Sequence, residues 1–276
     1  IKFTIMKNNV YVSFFFKKIL PHLNKVSKKI ITSNIREIKS KSSKKFNPVT
    51  KYDIYLEKKI RSEILKNFPN HNVHGEEIKP INNNSDHTWM IDPIDGTKAL
   101  IIGMPTWSNL LGLEIKKKPF VGFANFPMFK KCYYNISGKS YVVRQGRKVK
   151  ISTSKKKSLK NSILVTNTLH TIKNIKLLNF FKKYKNFFKI SSADAYNYCL
   201  LSEGKVDVVI EAGLKPFDIK PLVPIIKNAG GIVSNWHGGD DISKGSVVVS
   251  CNKVIHSKIL NLLRRFSASS FLIFSF

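Results

Sequence analysis

Thr88-Trp89-Met90-Ile91-Asp92-Pro93-Ile94-Asp95-Gly96-Thr97 is a short apolar run that empties into two carboxylates, a proline and a glycine. The apolar residues read as a buried strand, and the Gly-Thr pair as the opening of a helix. Pro93 restricts the backbone so that Asp92 and Asp95 can face one point. The free N–H groups at a helix start behind Gly96 and Thr97 suit a phosphate. Two aspartates at this spacing would by themselves serve equally well as turn caps or surface charge. The whole hexapeptide behind an apolar strand is a more specific signal. The chain holds only 17 Asp and Glu, yet Glu76, Asp92, Asp95 and Asp218 each fall at the end of a strand or loop, where oxygen ligands suit Mg²⁺.

Upstream of this stretch, Phe46 to Asp53 reads as a loop in which Thr50 caps a helix carrying Ile54, Leu56, Ile60 and Ile64, with Asp53 in its first turn. An earlier helix is expected from about Leu23, because Pro21 interrupts or begins it. Downstream, Trp107 to Ile115 with Phe120 to Phe126, and Cys132 to Ile136 with Ser140 to Arg144, read as hairpins. From Ile163 the pattern alternates: strand to Thr166, helix about Ile172 to Lys183, strand Phe187 to Ile190, helix Ala193 to Ser202, strand Val206 to Ile210 and helix Ile219 to Ala229. That alternation predicts an α/β layer. Two more strands, Gly231 to Ser234 and Ser246 to Ser250, precede a helical stretch from Val254 to Phe266, and Gly230-Gly231 ends the helix before them. The tail after Arg265 reads as disordered or as a packed terminal strand.

A chain of 276 residues with 42% hydrophobic residues buries about three quarters of the surface exposed when unfolded, so it needs no metal or disulfide staple for its core. Intrinsic disorder is excluded as a class. Cys132, Cys199 and Cys251 are odd in number and lack CxxC spacing, which points to a reducing compartment, the cytoplasm. The apolar runs Val10 to Phe16 and Phe271 to Phe276 fall short of the ~20 residues that cross a bilayer, and the first residues lack the form of a secretory leader. The formal charge of +31 would ordinarily raise nucleic acid as a partner, but only six of the 48 basic residues are Arg, and bidentate phosphate and base recognition lean on Arg. The lysines read as solvated surface, with clusters at Lys39 to Lys45, Lys116 to Lys118 and Lys155 to Lys157, and secondarily as a pull on a phosphorylated substrate. His71 and His74 read as surface loop histidines. Of Tyr196 and Tyr198, on opposite helix faces, one is expected to be core.

Trp89 to Thr97, with Gly75-Glu76-Glu77 upstream, resembles the inositol monophosphatase family of Mg²⁺-dependent, Li⁺-sensitive phosphatases. Asp194 to Leu200, Val208 to Asp218 and Leu222 to Gly231 resemble its C-terminal motif. Within the family the chain looks closest to the histidinol-phosphatase branch, where the Trp-Asp pair of inositol phosphatases is replaced by Lys-Pro-aromatic-Asp, as at Lys215-Pro216-Phe217-Asp218. The resemblance runs from about Phe46 to Asn252. It implies a layered αβαβα sandwich of the sugar-phosphatase type, with an α+β part over 1–152 carrying the metal and phosphate motifs and an α/β part over 153–276 completing the site. It also implies that Glu76, Asp92, the Ile94 carbonyl, Asp95 and Asp218 hold two or three Mg²⁺, that Asp95, Gly96 and Thr97 take the phosphate, and that Glu76 and Thr97 orient the attacking water.

A phosphate monoester repels hydroxide, so cations must neutralise it and stabilise the leaving oxygen. The expected substrate is a small phosphate monoester, foremost L-histidinol phosphate, whose ammonium and imidazole favour carboxylates near the leaving group. Asp194 and Glu211 are the candidates for that contact; Asp194 could instead cap the following helix, and Glu211 could pair with Lys215. Inositol 1-phosphate is the first rival substrate, and 3′-phosphoadenosine 5′-phosphate and fructose 1,6-bisphosphate rank lower. A basic RNA-associated protein on the same fold is the alternative of another class, although nucleic acid and membrane are not the expected partners. Relatives commonly dimerise, so a homodimer is a candidate assembly that the sequence itself does not fix.

Overall fold

The computed structural model describes residues 9–32, 38–40, 48–167, 175–190 and 193–267. The expected tail after Phe266, apart from Ser267, and the start of the helix expected at Ile172 lie outside the described residues. The chain forms two compact units. The first runs to Lys150 and takes in Ser192–Tyr196 and Phe217–Ile225; the second holds Ile151–Ser191, Asn197–Pro216 and the chain from Ile226 onward.

In the first unit a short antiparallel pair, β1 (Ile38–Ser40) with β2 (Pro48–Thr50), precedes a seven-stranded mixed sheet. Its strands are β3 (Asn72–Gly75), β4 (His87–Asp95), β5 (Ser108–Ile115), β6 (Lys118–Phe126), β7 (Lys131–Ile136), β8 (Lys139–Arg144) and β9 (Arg147–Ile151), neighbours in that order. β3 runs parallel to β4, and the hairpins from β4 to β8 are antiparallel. The apolar faces of residues 9–32 and of the helix Lys51–Asn67 join Val73, Trp89, Ile91, Leu111, Leu113, Val121 and Phe123 of the sheet in one core cluster. Phe15 stacks flat on Phe123 with ring centres 4.0 Å apart.

The first helix departs from expectation: residues 9–32 are helical throughout, and Pro21 lies inside. The reason is a π turn at Phe15–Ile19, where the Leu20 N–H reaches back to the Phe15 carbonyl. The widened turn relieves the ladder just where Pro21 has no N–H to give and its ring would crowd the preceding turn.

In the second unit the five-stranded sheet has the order β11-β10-β12-β14-β13, formed by β10 (Leu164–Thr166), β11 (Phe187–Lys189), β12 (Val208–Glu211), β13 (Ile232–Asn235) and β14 (Val247–Ser250). β10 is parallel to β11 and β12, while β14 is antiparallel to β12 and β13. Leu177 and Phe181 of the helix Ile175–Lys183, and Ile255, Ile259 and Leu263 of the helix Lys253–Ser267, pack with Leu164, Val208, Ile210 and Val248. Cys132, Cys199 and Cys251 are buried free thiols. Among the described residues no helix is long and apolar enough to cross a membrane.

The helix expected from Ile219 to Ala229 is two helices, Pro216–Ile219 and Val223–Ala229. Pro221 cannot donate within a helix, and it packs instead against the sheet, where a Cβ at Gly112 would lie 2.8 Å from the Pro221 Cα and one at Gly122 would meet the Pro221 carbonyl. After Ala229, Gly230 takes φ 104° and the Gly231 N–H donates to the Ile226 carbonyl at 2.9 Å.

Candidate active site

β4 does not stop where the motif begins. It pairs with β5 through Asp92 and again at Asp95, with a register shift between them. Such an irregularity re-aims side chains at a strand end. Asp92 and Asp95 are both buried. β3 ends beside β4 at Gly75, and the Glu76 N–H donates to the Ile91 carbonyl at 3.1 Å.

The turn that carries Glu76 is gripped by a buried ion pair. Glu57 accepts the N–H groups of Glu77 (2.7 Å) and Ile78 (3.2 Å), and Arg61, 2.7 Å from Glu57, donates to the carbonyls of Ile78 and Lys79. Gly75 is required here, since a Cβ would collide with the Glu57 carboxylate.

Asp218 arrives from the helix Pro216–Ile219. Its position is held on the C-terminal side by Pro221 against Gly112 and Gly122, and by Lys220, whose ammonium lies 3.0 Å from the largely buried carboxylate of Glu114.

These supports bring Glu76, Asp92 and Asp218 together, with one carboxylate oxygen from each within 4.8 Å of the others. Asp92 Oδ1 is buried and has no hydrogen-bond partner. Burial, then the charges of Glu76, Asp95, Asp218 and Asp53, push the Asp92 carboxyl well above its ordinary 3.8. Asp95 is likewise raised by burial and by Asp194 and Asp218, against the pull of hydrogen bonds from the Ala195 N–H (3.1 Å) and the Ser108 hydroxyl (3.0 Å) to its Oδ2. Crowded carboxylates in a low dielectric are costly unless protons or cations neutralise them. The donor set is all oxygen and the orphaned Asp92 oxygen is aimed at no protein group, so these residues fit a hard divalent cation of the Mg²⁺ kind.

Beside them, the Thr97 hydroxyl donates to the Ile94 carbonyl at 3.1 Å and lies 3.4 Å from Asp53 Oδ1. Asp53 is fully buried, and its Oδ2 accepts the Thr50 N–H (2.7 Å) and hydroxyl (2.6 Å) in a capping box. The sequence reading stopped at Asp53 as a first-turn residue; the capping signal was visible, but the reach to Thr97 was not. Gly96 has φ 77° and opens the five-residue helix Thr97–Ile101; a Cβ there would lie 2.9 Å from Asp194 Oδ2. Asp194 thus faces the turn expected to take phosphate.

Glu211 belongs to the second unit, where its oxygens accept the Asn167 N–H and the Tyr198 hydroxyl, each at 3.2 Å. Tyr198 is core, whereas Tyr196 packs on Phe126 and Phe129 and its hydroxyl accepts from the Lys131 ammonium. His74 meets Asn82 at 2.7 Å. His71 is not the surface loop residue expected: it is sandwiched between Phe68 and His87 at ring-centre distances of 4.9 and 4.5 Å, and it accepts the Trp89 indole N–H at 3.1 Å. Burial, aided by His87, lowers it to about 4. Phe68 and His71 of the turn before β3 meet His87 and Trp89 of β4 in this cluster, and the local sequence carries no sign of it.

A carboxylate-walled cation corner at a strand end, beside a short helix start, defines a class of phosphate-handling metal sites. Comparison with known proteins gives the family. Residues 17–268 match the profile of the inositol monophosphatase family, and the chain belongs to that family, whose members are metal-dependent phosphatases. The chain is 33% identical over 230 residues to the bifunctional phosphatase IMPL2, chloroplastic, of Arabidopsis thaliana, covering 79% of this chain and 65% of that protein, so it spans about two thirds of that relative's length. It is 34% identical to the fructose-1,6-bisphosphatase/inositol-1-monophosphatase of Aquifex aeolicus (86% of this chain, 88% of the relative) and 26% identical to the histidinol-phosphatase of Chlorobaculum parvum (82% and 86%). Among solved structures, the extragenic suppressor protein SuhB of Bartonella henselae superposes with a TM-score of 0.80 at 21% identity, covering 93% of this chain and 99% of that one. At that identity the likeness speaks for the fold alone, and the fold is the layered α/β sandwich type expected.

Proposed function

We propose that this protein hydrolyses L-histidinol phosphate to L-histidinol and phosphate with Mg²⁺ as cofactor, in histidine biosynthesis. The observation that carries the phosphatase chemistry is the convergence of Glu76, Asp92 and Asp218 around the unpartnered Asp92 oxygen. In this reading these three, with Asp95 and the Ile94 carbonyl, hold two or three ions. Bound there, Mg²⁺ supplies charge neutralisation of the phosphate and of the leaving oxygen.

The chain's own groups do the rest. Asp53 and the Ile94 carbonyl fix the Thr97 hydroxyl, which with Glu76 orients a water for in-line attack on phosphorus. The Gly96 turn and the Thr97 N–H receive phosphate oxygens. Asp92 and Asp218 would be among the residues that hold the ions, with Asp218 on the leaving-group side. The segments after 153, Asp194 and Asp218 among them, complete a site whose motifs lie before 152.

The substrate assignment rests on the Lys215-Pro216-Phe217-Asp218 signature and on the likeness to a histidinol-phosphatase. Asp194 and Glu211 are the carboxylates proposed to meet the ammonium and imidazole. Inositol 1-phosphate is the second reading, favoured by the Aquifex relative's name. The cytoplasmic location and the homodimer are parts of the same proposal, the former supported by three free thiols.

The test is phosphate release from histidinol phosphate, inositol 1-phosphate and fructose 1,6-bisphosphate with and without Mg²⁺, followed by a Li⁺ titration. Mg²⁺-dependent turnover highest on histidinol phosphate, and reduced by Glu211→Gln on that substrate selectively, is the expected result. Preference for either other ester overturns the substrate, and RNA binding without any turnover overturns the enzyme reading.

A further inference from the structure

Pro93 and Ile94 lie on β4 between its paired positions Asp92 and Asp95, while on β5 a single residue, Asn109, stands between the matching partners Leu110 and Ser108. Two residues against one form a bulge, which takes backbone groups out of the regular ladder. A buried carbonyl there must still find a donor. Side chains supply both: the Thr97 hydroxyl reaches the Ile94 carbonyl, and the Asn109 amide nitrogen donates to the Pro93 carbonyl at 2.7 Å.

Asn109 is held in turn by Asn125, its partner across β5 and β6, whose amide nitrogen donates to the Asn109 amide oxygen at 2.9 Å. Both residues are buried. The direction of this relay is forced by its end. A carbonyl only accepts, so Asn109 turns its nitrogen to Pro93 and its oxygen to Asn125, which must then present a donor.

The consequence lies in the backbone of the motif. The Pro93 ring fixes φ and the peptide units on either side are planar, so ψ is the one soft angle left to Pro93. Capture of its carbonyl by Asn109 fixes that angle too. The angle sets how Asp92 on one side, and the Ile94 carbonyl and Asp95 on the other, are presented to one another.

We propose that Asn109, oriented by Asn125, is a positioning residue that matches Asp92, Asp95 and the Ile94 carbonyl to Mg²⁺; this rests on the reading of those groups as ligands. Mg²⁺ demands near-ideal octahedral geometry at about 2.0–2.1 Å, whereas Ca²⁺ accepts looser arrangements at about 2.3–2.6 Å. A bulge released from Asn109 therefore loses Mg²⁺ before Ca²⁺.

The test is calorimetric titration of the full chain with Mg²⁺ and, separately, with Ca²⁺. Asn109→Leu, similar in size but without a donor, is expected to weaken Mg²⁺ binding about tenfold and Ca²⁺ binding by no more than about twofold. Asn125→Ala leaves Asn109 in place but undirected, and is expected to shift the preference the same way by about threefold; it decides the matter alone if Asn109→Leu does not fold. Asn135 of β7 is the control: equally buried, it bridges the Gly122 N–H at 2.8 Å and the Phe120 carbonyl at 3.1 Å in the same sheet. Asn135→Leu is expected to lower the urea midpoint and leave the preference between the ions unchanged. Equal loss of both ions, or a shift from Asn135→Leu as large as that from Asn109→Leu, would mean general loosening of the sheet and overturn the proposal. Wild-type affinities for both ions in Asn109→Leu and Asn125→Ala would overturn it while leaving the Mg²⁺ reading intact, whereas a wild type that binds neither ion would overturn that reading itself.

Discussion

Asp92 and Asp207 are two aspartates of equal depth, 2% and 1% exposed, that the fold treats in opposite ways. Asp207 accepts from the Ser154 hydroxyl, the Lys156 ammonium at 2.8 Å and the Ile163 N–H at 2.7 Å. It ties the entry of β10 to the chain that leaves the helix Ala195–Ser202. Asp92 faces other carboxylates and leaves Oδ1 with nothing. A buried acid surrounded by donors is a structural clasp; a buried acid surrounded by acids is held in wait for a cation. Burial alone does not separate the two, and only the census of partners does.

The sharpest way to break this contrast is Asp92→Asn. Loss of a ligand worth several kcal/mol of charge stabilisation should lower phosphatase activity on the order of 10³-fold and abolish the Mg²⁺-dependent rise in Tm. The metal-free variant should melt above the metal-free wild type at neutral pH. The sign follows from the raised Asp92 carboxyl: the folded chain holds its proton more tightly than the unfolded one, so wild-type stability falls as pH rises above the ordinary 3.8. A Tm shift with Mg²⁺ that survives in the variant would remove Asp92 from the ligand set.

Glu57→Gln probes the grip on Glu76. Leaving the buried Arg61 without its counter-charge should cost about 3 kcal/mol in a urea melt, and the Mg²⁺ concentration for half-maximal activity should rise about tenfold. Turnover at saturating Mg²⁺ should recover. Loss of turnover with no change in Mg²⁺ dependence would mean that the ion pair does not act through the 76–79 turn.

Asp207→Ala should lower stability by about 2 kcal/mol through three orphaned donors, while the Mg²⁺ response of the folded protein stays intact. An altered Mg²⁺ response would erase the distinction drawn above.

The smallest effect concerns His71, which lies near His87. Its lowered value means that the unfolded chain takes up a proton below about 6.5 that the folded chain accepts only near 4. Stability is therefore complete above that range and is lost as pH falls through it. His71→Gln, which keeps an acceptor for Trp89, should flatten this limb of a pH series of urea midpoints; an unchanged limb would shift the titration to another group.

Much of the first unit was legible locally. The apolar run before Asp92, the glycines and lysines between β5 and β8, and Thr50 three residues before Asp53 are short-range signals, and strands and caps answer to short-range physics. The departures have both local and distant causes. Pro21 stays inside a helix because a π turn precedes it, and Pro221 splits one because Gly112 and Gly122 leave room for it. β9 was missed because Arg147 to Ile151 is mostly charged, as an edge strand is expected to be. His71 was misread because nothing in the order of residues announces that Phe68, His87 and Trp89 will surround it.

Taken alone, the order of residues determined the local elements, the scarcity of acids and the motif that resembles a known family, since each depends on neighbours along the chain. The tertiary structure decided which acids meet. Glu76, Asp92 and Asp218 sit on three separate elements, and only the pairing of β3 with β4 and the seating of Pro221 on the sheet bring their oxygens together. It also decided that Asp53 and Glu57 turn inward, one toward Thr97 and the other toward the 77–78 backbone. Electrostatic interaction falls with distance in space, not with separation along the chain, so charge becomes chemistry only after folding.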